Sequence, residues 1–234
     1  MIQLIVNADD FGYSRAVNHG IIDSHVNGIV NSTTIMMNMP GTEHAIQLSK
    51  EHPTLKVGIH LVLTCGKPLL NNVPSLVNEQ GNFKKLSSLS NYNGVNTDEV
   101  YQEWSAQIER ALSYGINLTH FDSHHNVHGI KELASVVHKL ATTYKLPVRN
   151  SLQLPEGVQA FTDVFLHDFY GETVVVDYFD KLLDKVTDGK SVEVMCHPAY
   201  LDNEVLLGSS YNVDRLKEYD ILTSTVLPAN IELI

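Results

Sequence analysis

The run Leu4-Ile5-Val6-Asn7-Ala8-Asp9-Asp10-Phe11-Gly12 is the strongest constraint on how this chain can fold. Its β-branched and aliphatic residues predict a buried strand, and two adjacent carboxylates where that strand emerges repel each other unless something positive sits beside them. An isolated Asp-Asp pair has a simpler reading, one acid capping the next helix and the other solvated. The histidines decide between the two. Of the twelve in 234 residues, several stand where further predicted strands end: Val57-Gly58-Ile59-His60, the cluster Leu118-Thr119-His120-Phe121-Asp122-Ser123-His124-His125-Asn126-Val127-His128, and Val192-Glu193-Val194-Met195-Cys196-His197-Pro198. In a parallel α/β barrel the carboxyl ends of the strands converge on one face, so polar residues far apart in sequence become neighbours there. An Asp and two His from three strand exits would form a facial metal triad with positions open to water and substrate.

The rest of the chain supplies the crossovers that such a sheet needs. Ser14 predicts an N-cap for a helix to about Asn27, stopped at Gly28, and Ser32 to Met39 reads as the second strand. Gly41 to Ser49 is helical in character, Pro53 interrupts, and Leu55 to Leu63 returns to strand. Thr97 is expected to cap a helix burying Val100, Trp104, Ile108, Ala111 and Leu112 and ending at Gly115. Strands near 118–122, 148–152 and 192–197 alternate with helices near 130–144 and 176–186, and 216–226 supplies a last helix and strand. The expected fold is a distorted, TIM-like (β/α) barrel in one domain. Residues 66–96 break the rhythm with asparagine, serine, proline and glycine, which predicts a loop or lid beside the site.

Composition narrows the partners. The chain has 43% hydrophobic residues, enough for one sizeable core, and a net charge of -11, which argues against nucleic acid or an acidic membrane. The N-terminus has no basic n-region and no run approaches a membrane span, so a cytoplasmic location is expected. Cys65 and Cys196 read as small buried residues, not as a zinc pair or a disulfide framework.

The segments Ile5-Val6-Asn7-Ala8-Asp9-Asp10-Phe11-Gly12, Gly58-Ile59-His60-Leu61 and Thr119-His120-Phe121-Asp122-Ser123-His124-His125-Asn126-Val127-His128, in this order and spacing, resemble the YdjC-like carbohydrate deacetylase family. The resemblance runs nearly end to end. It implies a distorted α/β barrel that hydrolyses the N-acetyl group of amino sugars, including chitin-derived oligosaccharides, with a divalent metal usually given as magnesium, in a homodimer. Carried over by position, it implies Asp10, His60 and His124 as metal ligands, with His125 an adjacent alternative. A more distant resemblance to polysaccharide deacetylases implies Asp9 as the base. Asn126 departs from the family, many of whose members continue the histidine run there.

The chemistry of amide hydrolysis agrees with this division. It needs an activated water, a stabilised oxyanion and an acid for the departing amine, and a metal supplies the first two. His197 is the candidate acid, or else a strand-end histidine satisfied before the turn at Pro198. His125, His128, Asp122 and Arg149 are candidates for substrate contact or for orienting the ligands, and His120 for a structural role. Two imidazoles suit zinc, cobalt, nickel, manganese or iron better than magnesium. Two rivals remain: a phosphoesterase would want basic clamps, for which only Arg15 and Arg149 offer themselves, and a silent sugar-binding protein would have no use for Asp9.

Overall fold

The computed structural model describes residues 1–89, 94–151 and 153–234. Residues 90–93 of the expected lid and Leu152 of the expected fifth strand lie outside the described residues. In chain order the elements are β1 (Ile2–Phe11), α1 (Arg15–Val26), β2 (Ser32–Ile35), α2 (Thr42–Glu51), β3 (Lys56–Leu61), α3 (Leu86–Leu89), α4 (Thr97–Ser113), β4 (Phe121–Ser123), α5 (Ala134–Tyr144), β5 (Val164–Leu166), α6 (Leu182–Lys185), β6 (Ser191–Cys196), α7 (Asn203–Gly208), α8 (Asp214–Ser224) and β7 (Ile231–Leu233). Strand pairs are parallel, β1 with β2, β6 and β7, β6 with β5, and β3 with β4, and helices supply crossovers. This is the α/β class of the distorted (β/α) barrel.

The chain forms two compact units. One comprises residues 1–35, 40–57 and 162–234, the other 36–39 and 58–161. In the first, β1 is central: Ile2, Leu4, Val6 and Ala8 are fully buried, and from Leu4 onward both of its faces are covered, as a parallel strand flanked by crossovers requires. Ser14 caps α1 by accepting a hydrogen bond from the Val17 amide, 3.2 Å. The turn between β1 and α1 is held by buried Asn18, which accepts from the Gly12 amide (2.6 Å) and donates to the Gly41 carbonyl (2.9 Å). Gly12 itself has φ 99°, a conformation that suits glycine.

In the second unit, β3 and β4 pair with His60 opposite Asp122. Their close packing depends on Gly58: a Cβ there would lie 2.5 Å from the His120 ring. Trp104, Ile108, Phe121 and Leu140 are fully buried. The helix containing Trp104 follows the sequence pattern with two differences: Asn96, not Thr97, is its N-cap, and Leu112 is 42% exposed. Residues 66–75 are tied down by the same helix. Buried Glu103 accepts from the amides of Leu69 (2.9 Å) and Leu70 (3.0 Å), Glu99 accepts from the Ser75 amide (2.8 Å), and Val73, Leu76 and Phe83 are buried.

Further local expectations differ from the structure, the second strand ending at Ile35 instead of Met39 among them. Val148 makes only isolated bridges, to Phe121 and Ala160, because the chain turns at once, the Ser151 amide donating to the Arg149 carbonyl. The strand beside β6 is instead the short β5. The helix expected over 176–186 shrinks to α6, as Tyr178 and Phe179 turn inward to pack on Phe169. There tertiary packing overrides local propensity.

Candidate active site

In the first unit the two acids sit in an irregularity of β1. The β1–β2 register slips between Ala8 and Phe11, and Asp10 takes φ 70°, a left-handed conformation rare in a non-glycine residue. Such bulges re-aim side chains and concentrate at functional sites, where surrounding structure holds the strain. Both carboxylates are buried, and each is held differently. Asp9 Oδ1 accepts from Asn7 Nδ2, 2.9 Å, while Asp10 Oδ2 accepts from the guanidinium of Arg215, 2.7 Å. Arg215 is the positive partner that the acid pair demands. It comes from α8, on the far side of the sequence.

Arg215 is one member of a buried network. Its Nε donates to the Tyr211 carbonyl, 2.7 Å, and Tyr211 donates its hydroxyl to Glu218 Oε1, 2.5 Å. Glu218 also accepts from the His197 amide, and its Oε1 lies 3.8 Å from His197 Nδ1. Burial, and then the neighbouring Glu218 carboxylate, push the Tyr211 hydroxyl well above its usual range, so it stays a neutral donor. His197 thus leaves β6 fixed through its backbone, with its ring edge-on to Tyr170 (5.6 Å between centroids) and Tyr211 (5.7 Å).

In the second unit the β3–β4 register makes a histidine–carboxylate–arginine chain. Asp122 Oδ1 accepts from His60 Nδ1, 2.7 Å, and Oδ2 from Arg149 Nη2, 2.8 Å, with all three side chains buried. Burial opposes the charge on Asp122, yet the Arg149 guanidinium and the His60 imidazole hold its carboxyl far below the usual carboxylate range. A carboxylate accepting at Nδ1 puts the imidazole lone pair on Nε2. His124 follows β4 with its ring edge-on to that of His60, 5.6 Å between centroids. The next two residues, His125 and Asn126, have φ 59° and 52°, and this left-handed turn sends exposed His125 toward Thr64, whose Oγ1 is 2.8 Å from its Nδ1.

The remaining predicted residues are interior. His128 is buried between Ser123 Oγ (2.6 Å from Nδ1) and Ser151 Oγ (2.6 Å from Nε2), and burial lowers its pKa to about 4 despite the attraction of Asp122. Arg149 is fully buried on Asp122. His120 is buried and stacked on Phe161 at 3.7 Å. Both cysteines are free thiols; Cys196 is buried as expected, whereas Cys65 is only half-buried. Tyr170, Tyr211, Arg215 and Glu218 were not singled out in the sequence. A signal exists for two: Arg215 and Glu218, three residues apart, share the buried face of α8 with Ile221 and Leu222, so charged residues occupy part of what would be its apolar stripe.

Parallel strands with helical crossovers, and acids and imidazoles at strand exits, define a (β/α)-barrel class of protein that builds its site at the carboxyl ends of its strands. Within that class the chain belongs to the YdjC-like family, whose model, described as YdjC-like protein, matches residues 3–232. It is 46% identical to a carbohydrate deacetylase of Halalkalibacterium halodurans over all of both chains. It is 47% identical to another from Geobacillus stearothermophilus, over 97% of this chain and 91% of that one. Among solved structures, a proposed cellobiose-phosphate cleavage protein from Enterococcus faecalis superposes with a TM-score of 0.89 at 40% identity, covering 95% of this chain and 91% of the other. A family 4 carbohydrate esterase from Streptomyces lividans, in complex with acetate, shares the fold at a TM-score of 0.54 and 9% identity, over 99% of this chain and 91% of its own.

Proposed function

We propose that this protein is a metal-dependent carbohydrate deacetylase that removes the N-acetyl group from amino sugars or chitin-derived oligosaccharides. The observation that carries the proposal is the full-length likeness to carbohydrate deacetylases, 46% identical from end to end, in a chain that buries Asp9 and Asp10 side by side on different partners. Two carboxylates held by an amide and a guanidinium are set up for two jobs. Asp10, His60 and His124 are assigned as the metal ligands, one carboxylate and two imidazoles, a donor set suited to one divalent ion. The donor chemistry fits: Asp122 fixes the His60 tautomer so that Nε2 would ligate, the carboxylate–histidine arrangement common behind metal ligands.

A divalent ion bound there would lower the pKa of water and polarise the acetyl carbonyl. Asp9 accepts the proton of the attacking water, and His197 donates a proton to the nitrogen as the C–N bond breaks, giving acetate and the free amine. Asp122, Arg149, His125 and His128 are assigned to orienting these groups or contacting substrate. We infer one catalytic domain in which residues 66–96 cover the site, acting as a homodimer in the cytoplasm. Among the described residues no helix is long and apolar enough to cross a membrane.

The test is acetate release from acetylated mono- and disaccharides by protein reconstituted with magnesium, zinc, cobalt or manganese. Acetate from an N-acetylated amino sugar is the expected result, and none from any sugar with any metal would overturn the proposal.

A further inference from the structure

The catalytic assignments leave unexplained a pair of tyrosines in the first unit. Tyr170 and Tyr211 are stacked, with centroids 3.9 Å apart and planes at 21°. Tyr211 is buried and fixed at several points: its hydroxyl donates to Glu218 and accepts from the Gly171 amide at 3.0 Å, and its carbonyl accepts from Arg215. Tyr170 is 43% exposed although one face of its ring is covered by Tyr211, so the exposure comes from the rest of the residue. The result is a rigid aromatic surface backed by a second ring. Two polar atoms border the pair, Nδ1 of His197 and Nη1 of Arg215, each buried and with no hydrogen-bond partner among the described residues. Buried polar atoms left unmatched are costly unless a ligand or water completes them.

An open aromatic face beside unmatched polar groups is what binds a ring with one apolar face and a polar rim. A pyranose has that character: C–H bonds on its face, hydroxyls at its edge. Since the Tyr170 ring is edge-on to the His197 ring at 5.6 Å, a sugar lying on the open face of Tyr170 would carry its substituents within reach of His197. We propose that Tyr170 is a substrate-binding residue, the stacking platform for the sugar ring whose acetamido nitrogen is released. This rests on the deacetylase reading above. The platform acts on the reacting ring itself, so a monosaccharide and a disaccharide should depend on it equally.

The experiment compares wild type with Tyr170→Phe, Tyr170→Leu and Tyr170→Ala, each reconstituted with metal and checked for an unchanged Tm. Acetate release from N-acetylglucosamine and its β-1,4-linked dimer gives KM and kcat, and NMR titration with N-acetylglucosamine gives binding separately from turnover. Tyr170→Phe keeps the face and should stay within about twofold of wild type. Tyr170→Leu and Tyr170→Ala should weaken sugar binding and raise KM roughly 3- to 10-fold, with a smaller change in kcat, the size expected for losing one aromatic face. Leu and Ala variants that match wild type in KM and in binding, or an effect confined to the dimer, would overturn the platform while leaving the deacetylase reading intact. Binding that depends on Tyr170 in a protein releasing no acetate would do the reverse. A wild type that neither binds the sugar nor releases acetate would overturn both.

Discussion

At the scale of single residues, the acid pair and the buried histidines give separable predictions. Asp9 is held by Asn7 and Asp10 by Arg215, so neutralising each should fail differently. Asp9→Asn should keep bound metal and fold but lose roughly 10²–10⁴-fold in kcat, the usual contribution of a positioned base. Asp10→Asn should lose the metal as well, which metal analysis after dialysis will show; an Asp9→Asn enzyme with near-normal turnover would remove Asp9 from the mechanism. His128 carries a different signature. Burial lowers its folded pKa to about 4, whereas the unfolded chain takes up the proton near 6.5. Between those values the unfolded state binds more protons, so stability falls as pH drops from about 6.5 to 4, by on the order of 3 kcal/mol, and this contribution does not change further below 4. His128→Gln should flatten that limb in urea titrations between pH 7 and 4, beyond any constant offset; an unchanged slope would mean the histidine is solvated. The sequence exposed the acids and the histidines because strand ends are easy to read. It did not expose Arg215, because a partner's identity across some 200 residues is a property of packing and leaves no local pattern.

At the scale of elements, the strands and helices legible in advance were those whose own period matched their environment. Strand β1 reads as buried because it is buried on both faces, and α1 because Ser14 caps it. Where three-residue strands such as β5 carry the sheet, local pattern is too short to register, and around Tyr178 and Phe179 aromatic packing defeats a helical stretch. The 66–96 segment shows a third case. Its composition reads as loop, yet the fixation of residues 66–75 comes from acids on α4, one of which, Glu103, is also bonded to Gln107 at 2.8 Å. Removing a buried carboxylate that serves two backbone amides leaves both unsatisfied, each costing about 1–3 kcal/mol. Glu103→Ala should therefore destabilise the protein by roughly 2–4 kcal/mol, and hydrogen exchange should speed up at the amides of Leu69 and Leu70. Exchange there unchanged from wild type would show that the segment is held by its buried Val73, Leu76 and Phe83 instead. If the remainder of the segment covers the site, trimming residues 78–82 should impair turnover more than stability, and unaltered kinetics would take it out of the reaction.

At the scale of the whole molecule, the metal assignment becomes a question of linkage. Asp10, His60 and His124 stand far apart along the chain, so the unfolded chain does not present them as one site, and an ion that they share binds the native state almost exclusively. Free ion at about 100 times its Kd then adds roughly 2.7 kcal/mol to the stability. For a protein of this length that corresponds to a rise in Tm of roughly 5–10 °C. The donor set also orders the ions: one carboxylate and two imidazoles favour zinc, cobalt, nickel or manganese over magnesium, which prefers oxygen and retained water. A thermal-shift series should therefore show the rise at micromolar zinc or manganese and only at millimolar magnesium. Asp10→Asn should abolish most of it, whereas Asp9→Asn should preserve it, which separates the ligand from the base without any measurement of activity. Equal shifts in Asp10→Asn and wild type would place the ion elsewhere, and no shift with any of these ions would sink the triad altogether.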